Sequence, residues 1–217
     1  MITNERIGAY IDSLDTELPA YLRAIEKEAL ENYVPIIKKP TRSLLRFLIH
    51  FYRPKRILEI GAAVAFSSLL MSEYLSEDGH ITTIERVPKR IMEAKKNIKE
   101  AGREAVITLL EGDAADILEE LSQKGEVFDM IFMDAAKGQY PNFLPPVMKM
   151  LSEGGLLVSD NVLQDGDIVE SRYAVTRRNR TIHFRMRDYL YTLTHTEGLD
   201  TVVLPLGDGV TLSTKMK

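Results

Sequence analysis

The chain has 217 residues, a formal net charge of −4 and 45% hydrophobic content, enough for one sizeable core with an appendage. That charge argues against a wholly basic nucleic-acid binder, and the lack of cysteine excludes disulfides, zinc–thiolate sites, iron–sulfur clusters and thiol nucleophiles. The first residues lack the apolar core of a signal peptide and no run reaches the length of a membrane span, so a cytoplasmic protein with no membrane partner is expected.

Residues 4–52 read as helical. Ile7, Ile11, Leu14 and Leu18 recur at spacings of three and four, and Leu22, Ile25 and Ala29 continue the pattern after Pro19. Tyr33-Val34-Pro35 breaks it. A further helix is predicted over 41–52, with Pro40 just ahead and Pro54 just beyond. Residues 1–53 are thus expected to form an N-terminal helical layer on the main body or on a second subunit. From residue 54 to 217 the texture is that of an α/β core. Strands are predicted at 56–60, 80–84, 105–110, 127–133 and 155–159, with helices starting near Ser67, Pro88, Asp116 and Tyr140. Such alternation implies a mostly parallel sheet with helices on both faces. Two late runs, 201–204 and 210–213, flank Pro205-Leu206-Gly207-Asp208-Gly209 and read as an antiparallel C-terminal hairpin closing one edge of the sheet, for seven strands in one domain.

The runs at 128–133 and 155–159 each end in oxygen-bearing residues: Asp134 after the first, Asp160 and Asn161 after the second. In a parallel sheet the carboxyl ends of the strands form the ligand-binding edge. Two carboxylates and an amide oxygen converging there make a hard-oxygen set suited to Mg²⁺ or another divalent cation, with coordination left for water and substrate. Lys137, three residues after Asp134, is close enough to face the same site.

At the other end of the core, Ile57-Leu58-Glu59-Ile60-Gly61 is a buried strand ending in glycine, where a ligand can approach the backbone. The helix that follows offers unpaired N–H groups and the Ser67 hydroxyl. Neither G-x-G-x-x-G nor G-x-x-x-x-G-K-[ST] is present, which disfavours dinucleotides and nucleoside triphosphates. Glu85 ends the next strand, where a carboxylate can accept from ribose hydroxyls. Asp113, in Glu111-Gly112-Asp113-Ala114, is placed to accept from an adenine amino group.

In Leu58-Glu59-Ile60-Gly61, Thr83-Ile84-Glu85-Arg86, Gly112-Asp113-Ala114, Ile131-Phe132-Met133-Asp134-Ala135-Ala136-Lys137 and Asp160-Asn161-Val162, the chain resembles the metal-dependent class I S-adenosylmethionine (AdoMet) O-methyltransferases of the catechol and caffeoyl-CoA type. The resemblance runs from about residue 34 to the C-terminus. It implies a Rossmann-like AdoMet-methyltransferase fold. It also implies a metal held by Asp134, Asp160 and Asn161, and Lys137 as the catalytic lysine beside Asp134. For the cofactor, Glu59 falls in the shared motif, Glu85 would hold the ribose and Asp113-Ala114 the adenine region. Ser67, Ile37 and the backbone near Gly61 would line the methionine end, and Asp134 would contact the cofactor as well as the metal. The family usually has a second glycine where Ala65 stands, so an added methyl group is expected to face the cofactor.

Such a metal would chelate two adjacent substrate oxygens, and Lys137 would take the hydroxyl proton or stabilise the forming oxyanion. Between Arg172 and Arg187 lie six arginines and no acidic residue, an electrostatic footprint for phosphates. With Arg172, Arg177, Arg178 and Arg180 as RNA contacts, the arrangement is most similar to bacterial tRNA 5-hydroxyuridine methyltransferases. The 5-hydroxyl and 4-carbonyl of that base are neighbouring oxygens, and a wobble base in an anticodon loop is single-stranded. A small catechol-like or caffeoyl acceptor is the second reading, and a non-catalytic RNA-binding protein on the same fold the third. The helical layer and the resemblance favour a homodimer.

Overall fold

The computed structural model describes residues 5–171 and 173–216. Its centre is one seven-stranded sheet made of β1 (Arg56–Ile60), β2 (His80–Glu85), β3 (Ile107–Glu111), β4 (Phe128–Met133), β5 (Leu151–Ser159), β6 (Leu199–Leu204) and β7 (Val210–Lys215). The spatial order is β3-β2-β1-β4-β5-β7-β6. Strands β1 to β5 are parallel; β7 runs antiparallel to both of its neighbours, β5 and β6. The late hairpin therefore forms as expected, but its second strand pairs with β5 and its first becomes the edge. Five of the expected strands and their connecting helices lie where the sequence puts them. The main difference is that β5 starts at Leu151, through a register irregularity opposite Phe128 and Met130.

Helices α4 (Phe66–Ser72), α5 (Pro88–Glu100), α6 (Ala114–Gln123), α7 (Tyr140–Met150) and α8 (Arg180–His195) connect the strands. Because successive strand residues face opposite sides, the sheet feeds two cores. Ile57, Ile81, Met130, Phe132 and Val158 pack on one face with α4 and α5. Leu58, Ile60, Ile131, Met133 and Leu157 pack on the other with α7 and α8. The near-continuous apolar strands are the consequence of this double burial.

Three N-terminal helices precede the sheet: α1 (Glu5–Ser13), α2 (Ala20–Glu31) and α3 (Lys39–Tyr52). Leu22, Ala29, Leu45 and Ile49 bind α2 and α3 into the first core. Behind α1, Asp15 accepts from the buried Arg42 guanidinium and from Ser43 Oγ, which ties the α1–α2 connection to α3. Helix α1 itself buries no residue, and Ile7, Tyr10, Ile11 and Leu14 all remain more than half exposed. Its apolar stripe therefore does not pack on the main body. Among the described residues no helix is long and apolar enough to cross a membrane.

The chain winds outward from β1 to β3, then returns to the other side of β1 with β4. The reversal opens a crevice between the carboxyl ends of β1 and β4, where sheets of this kind bind ligands. The ladder continues past the strands here, with Asp134 N donating to Ile60 O at 3.0 Å and Asp160 N to Met133 O at 2.9 Å. Gly61 has φ 108°, and a Cβ on it would stand 2.1 Å from the Asp134 carbonyl oxygen. Only glycine permits that approach.

Candidate active site

Two compartments meet at the crevice. The larger, about 530 Å³, is bordered by Gly61, Ala63, Glu85, Asp113, Ala114 and Lys137, among others. The smaller, about 210 Å³, is bordered by Ile36, Ile37, Lys38, Thr41, Asp160 and Asp208. Pro35, Asp134 and Asn161 line both. Asp134 and Asn161 thus stand at the junction, with Asp160 behind them.

The three oxygen-bearing residues do come together. Asn161 Nδ2 donates to Asp134 Oδ1 at 2.8 Å, and Asn161 N donates to Asp160 Oδ1 at 2.7 Å. Asn161 has a left-handed φ of 62°, a conformation that asparagine tolerates better than most residues. Burial raises the Asp160 carboxyl above its ordinary range, and repulsion from Asp134 adds to the shift. Asp134 is raised likewise, by burial first and by Glu59 second, against the opposing hydrogen bond from Asn161 and the charge of Lys137. Two carboxyls crowded together and raised by burial are a pair whose charge a divalent cation would offset. With the amide donating to Asp134, its Oδ1 is the remaining hard donor, so the residues fit a Mg²⁺-like ion. Among the described residues no three His, Asp or Glu side chains are grouped so as to hold a metal by themselves.

A tyrosine pair underlies this edge. The buried Tyr140 hydroxyl, at the start of α7, is 3.1 Å from Met133 O and 3.0 Å from Asp160 O, so one group spans the ends of β4 and β5. Tyr189 of α8 packs edge-on against Tyr140, with ring centroids 5.3 Å apart, and its hydroxyl is 2.6 Å from Ser159 Oγ. Lys137 opens a short 3-10 turn (Lys137–Gln139) at the rim of the larger compartment.

The expected cofactor residues divide by role. The Glu85 carboxylate accepts from Ala63 N at 2.8 Å, Arg86 N at 2.9 Å and Val87 N at 2.8 Å, which fixes it at the cleft wall. Asp113 caps α6 by accepting from Ala115 N at 2.9 Å, and also pairs with Arg86 Nη1 at 3.1 Å. Glu59 is fully buried: Thr83 and Ser68 donate to its Oε2, and the Ser67 hydroxyl stands near the carboxylate without a well-formed hydrogen bond to Oε1. A carboxylate oxygen so under-satisfied, two residues from Gly61, suits the ammonium of an amino-acid ligand. Ser67 is buried at the start of α4. Ile37 belongs to the smaller compartment rather than to the main cleft. Ala65 corrects an expectation. It is fully buried in the first core at φ 63°, so its methyl group meets apolar side chains; Ala63 is the alanine on the cleft wall.

The arginine segment is not one patch. Arg177 and Arg178 are exposed. Arg180 is half-buried, with Nε 3.4 Å from Val175 O and its guanidinium 5.9 Å from the Tyr173 ring. Arg185 and Arg187 donate to the carbonyls of Gly138 (2.8 Å) and Ile168 (3.4 Å). Arg172 lies outside the described residues. Lys38, Thr41 and Asp208 were not singled out from the sequence. Lys38 pairs with Asp208 across 170 positions, a juxtaposition with no local signature; only Asp208, amid turn glycines, carries a hint.

Comparison with known proteins follows from this geometry. The family model described as O-methyltransferase matches residues 12–216. A catechol O-methyltransferase of Niastella koreensis is 34% identical over 169 residues, 76% of each chain. A candidate caffeoyl-CoA O-methyltransferase of Staphylococcus aureus superposes with TM-score 0.88 at 32% identity, over 98% of this chain and 100% of its own. The Streptomyces achromogenes O-methyltransferase TomG, solved with S-adenosylmethionine, superposes with TM-score 0.85 at 26% identity over the whole of both chains.

Proposed function

Because the chain belongs to the O-methyltransferase family, we propose that it moves the methyl group of AdoMet to one of two vicinal oxygens held at a divalent cation, and that the acceptor is 5-hydroxyuridine in tRNA, giving 5-methoxyuridine. The chain is an AdoMet-dependent O-methyltransferase; the cation, the RNA acceptor and the residue roles are what we propose. The observation that carries it is the Asp134–Asn161–Asp160 cluster at the junction of a large and a small compartment. The large one suits a nucleoside joined to an amino acid, and the small one has room for a single ring.

When bound, the cation supplies Lewis acidity to the chelated hydroxyl and AdoMet supplies an electrophilic methyl group. The chain's residues do the rest. Asp134, Asp160 and Asn161 hold the cation, with Asn161 fixing Asp134 in place. Glu85, pinned by three backbone N–H groups, offers its remaining lone pairs to the ribose, and Asp113 with Ala114 borders the base. Gly61 lets the methionine end lie against the backbone, with Glu59 and Ser67 around it, while Ile37 borders the acceptor's smaller compartment. Lys137 receives the hydroxyl proton or balances the oxyanion as oxygen bonds to the methyl carbon and the carbon–sulfur bond breaks toward sulfur.

The RNA reading is supported by the exposed Arg177 and Arg178 and by Arg180, whose guanidinium lies 5.9 Å from the exposed Tyr173 ring, with Arg172 in the same stretch of sequence: arginines for phosphates and a ring for a base. It implies a cytoplasmic enzyme. The second reading, a small catechol-like or caffeoyl acceptor, is favoured by the names of the relatives. Two copies are proposed to associate through α1, whose exposed Ile7, Tyr10 and Ile11 form an apolar stripe continued by Leu14 just beyond it, and light scattering tests whether the chain is a dimer.

Methyl transfer from labelled AdoMet into tRNA prepared with and without 5-hydroxyuridine, followed by nucleoside analysis, decides the acceptor. Label should appear as 5-methoxyuridine only in the former. Incorporation that ignores the 5-hydroxyl rejects the RNA reading. Replacing Arg177 and Arg178 by Glu should abolish tRNA methylation and spare catechol.

A further inference from the structure

Gly138 follows Lys137, and its carbonyl oxygen accepts from Arg185 Nη1 at 2.8 Å. The local sequence explains why the bond comes from so far away. In 3-10 or α backbone, a carbonyl is normally closed by the N–H three or four residues on. Three residues after Gly138 stands Pro141, which has no N–H to give, and the N–H of Asn142, four residues on, makes no bond to this carbonyl. The rest of the turn is closed locally, by Gln139 N on Ala136 O at 2.8 Å and Tyr140 N on Lys137 O. The Gly138 carbonyl is instead met from α8.

No side chain of this turn is fully buried. Helix α8, by contrast, is firmly seated: Met186 and Tyr189 are fully buried, and Tyr189 reaches Ser159 on β5. Arg185 is half-buried on the turn-facing side of that helix, and its neighbour Ile182 brings Cγ1 to 3.8 Å from where a Cβ on Gly138 would stand. A planar guanidinium on a fixed helix is a rigid donor.

We propose that Arg185 is a positioning residue for methyl transfer: by holding the Gly138 carbonyl against α8 it fixes the turn that aims Lys137 at the Asp134 junction. This rests on the role given to Lys137 above. It also separates the arginines of this segment by task, with Arg185 turned inward to the catalytic loop and Arg177 and Arg178 outward to solvent.

The test uses the full chain with AdoMet, Mg²⁺ and 5-hydroxyuridine-bearing tRNA, with catechol as a second acceptor. Arg185→Met keeps the stem and removes the donor. It should lower kcat about 10- to 100-fold on either acceptor, the scale expected when a reacting group is displaced by an ångström or so, and leave the KM for AdoMet unchanged. The pH dependence of kcat should shift, and hydrogen exchange at the Gln139 and Tyr140 amides should accelerate. Arg185→Lys, which keeps a cationic N–H donor group, should restore most of kcat and of the exchange protection. In a Lys137→Ala background, Arg185→Met should cost nothing further. Full kcat in Arg185→Met beside an impaired Lys137→Ala overturns the positioning role alone, as do losses that multiply in the double variant. Full activity in Lys137→Ala removes the underlying reading and this one with it. Should Arg185→Met fail to fold, Arg185→Lys alone decides: unprotected Gln139 and Tyr140 amides with normal turnover would refute the role.

Discussion

The Asn161 side-chain amide donates to Asp134 Oδ1 at 2.8 Å, fastening the residue that ends one strand connection to the carboxylate that ends another 27 positions earlier. The contact keeps Asp134 charged in part and points the amide oxygen elsewhere. Asn161→Asp removes the donor and sets two carboxylates against each other. The metal-free variant should lose about 1–3 kcal/mol, the usual cost of a lost buried partner, while its stabilisation by Mg²⁺ should grow because a third negative donor is gained. Asn161→Ala should instead weaken Mg²⁺ about tenfold or more. Thermal melts with chelator and with Mg²⁺ separate the two; an Asn161→Asp protein with unchanged melting under both conditions would refute the ligand assignment.

The same carboxylates set a pH dependence. Glu59, Asp134 and Asp160 all have folded-state pKa values raised above the ordinary range, chiefly by burial. A raised carboxyl binds its proton more tightly in the folded chain, so its contribution to stability is complete below about pH 4 and is lost as pH rises through the raised values. Within that window, chelated protein should become less stable with rising pH through these three groups. Stabilisation by added Mg²⁺ should rise over the same interval, because the cation competes with protons for Asp134 and Asp160. Urea unfolding at a series of pH values, with and without Mg²⁺, measures both slopes. A Mg²⁺ increment that is flat with pH would contradict the scheme.

Tyr140 offers a sharper structural test. Its hydroxyl lies against the carbonyls of Met133 and Asp160, the residues at which β4 and β5 release Asp134 and Asn161. Tyr140→Phe should destabilise by about 1–3 kcal/mol, since a buried carbonyl loses its donor. If the hydroxyl also keeps the two strand ends in register, Mg²⁺ affinity should fall in the variant although no metal ligand has changed. Isothermal titration in the folded protein reads that second effect.

The fold was legible because a doubly buried parallel sheet writes itself as short apolar runs, and the candidate ligands were legible because they sit where those runs stop. Other features have no such mark. The first stretch of β5, Leu151-Ser152-Glu153-Gly154-Gly155, spells a turn after its first residue; Leu151 pairs with Phe128, and regular pairing resumes at Leu156 opposite Met130. Counting charge could not tell Arg185, which is bonded to a carbonyl, from Arg177, which faces solvent. The stripe on α1 predicts an apolar contact but not which surface supplies it. The smaller compartment is assembled from Lys38, Thr41 and Asp208, brought together only by the returning hairpin.

Ala65 and Gly61 make opposite predictions although both adopt positive φ on the same loop. At Gly61 an added methyl would stand 2.1 Å from the Asp134 carbonyl oxygen, which is backbone and cannot swing aside. Gly61→Ala must therefore part β1 from β4 at the crevice; a loss above about 2 kcal/mol and failure to bind AdoMet are expected. Ala65 already pays for its left-handed conformation, by about 1–2 kcal/mol. Ala65→Gly relieves that strain but exchanges it for a lost buried methyl of about 0.8 kcal/mol and a more flexible unfolded chain, about 0.5–1 kcal/mol. The terms nearly cancel, so stability should change by less than about 1 kcal/mol. Because the methyl of Ala65 points into the core, AdoMet affinity should stay within about twofold, as measured by titration calorimetry. A large gain in affinity on Ala65→Gly would mean that the methyl does obstruct the cofactor, as the family pattern alone suggests.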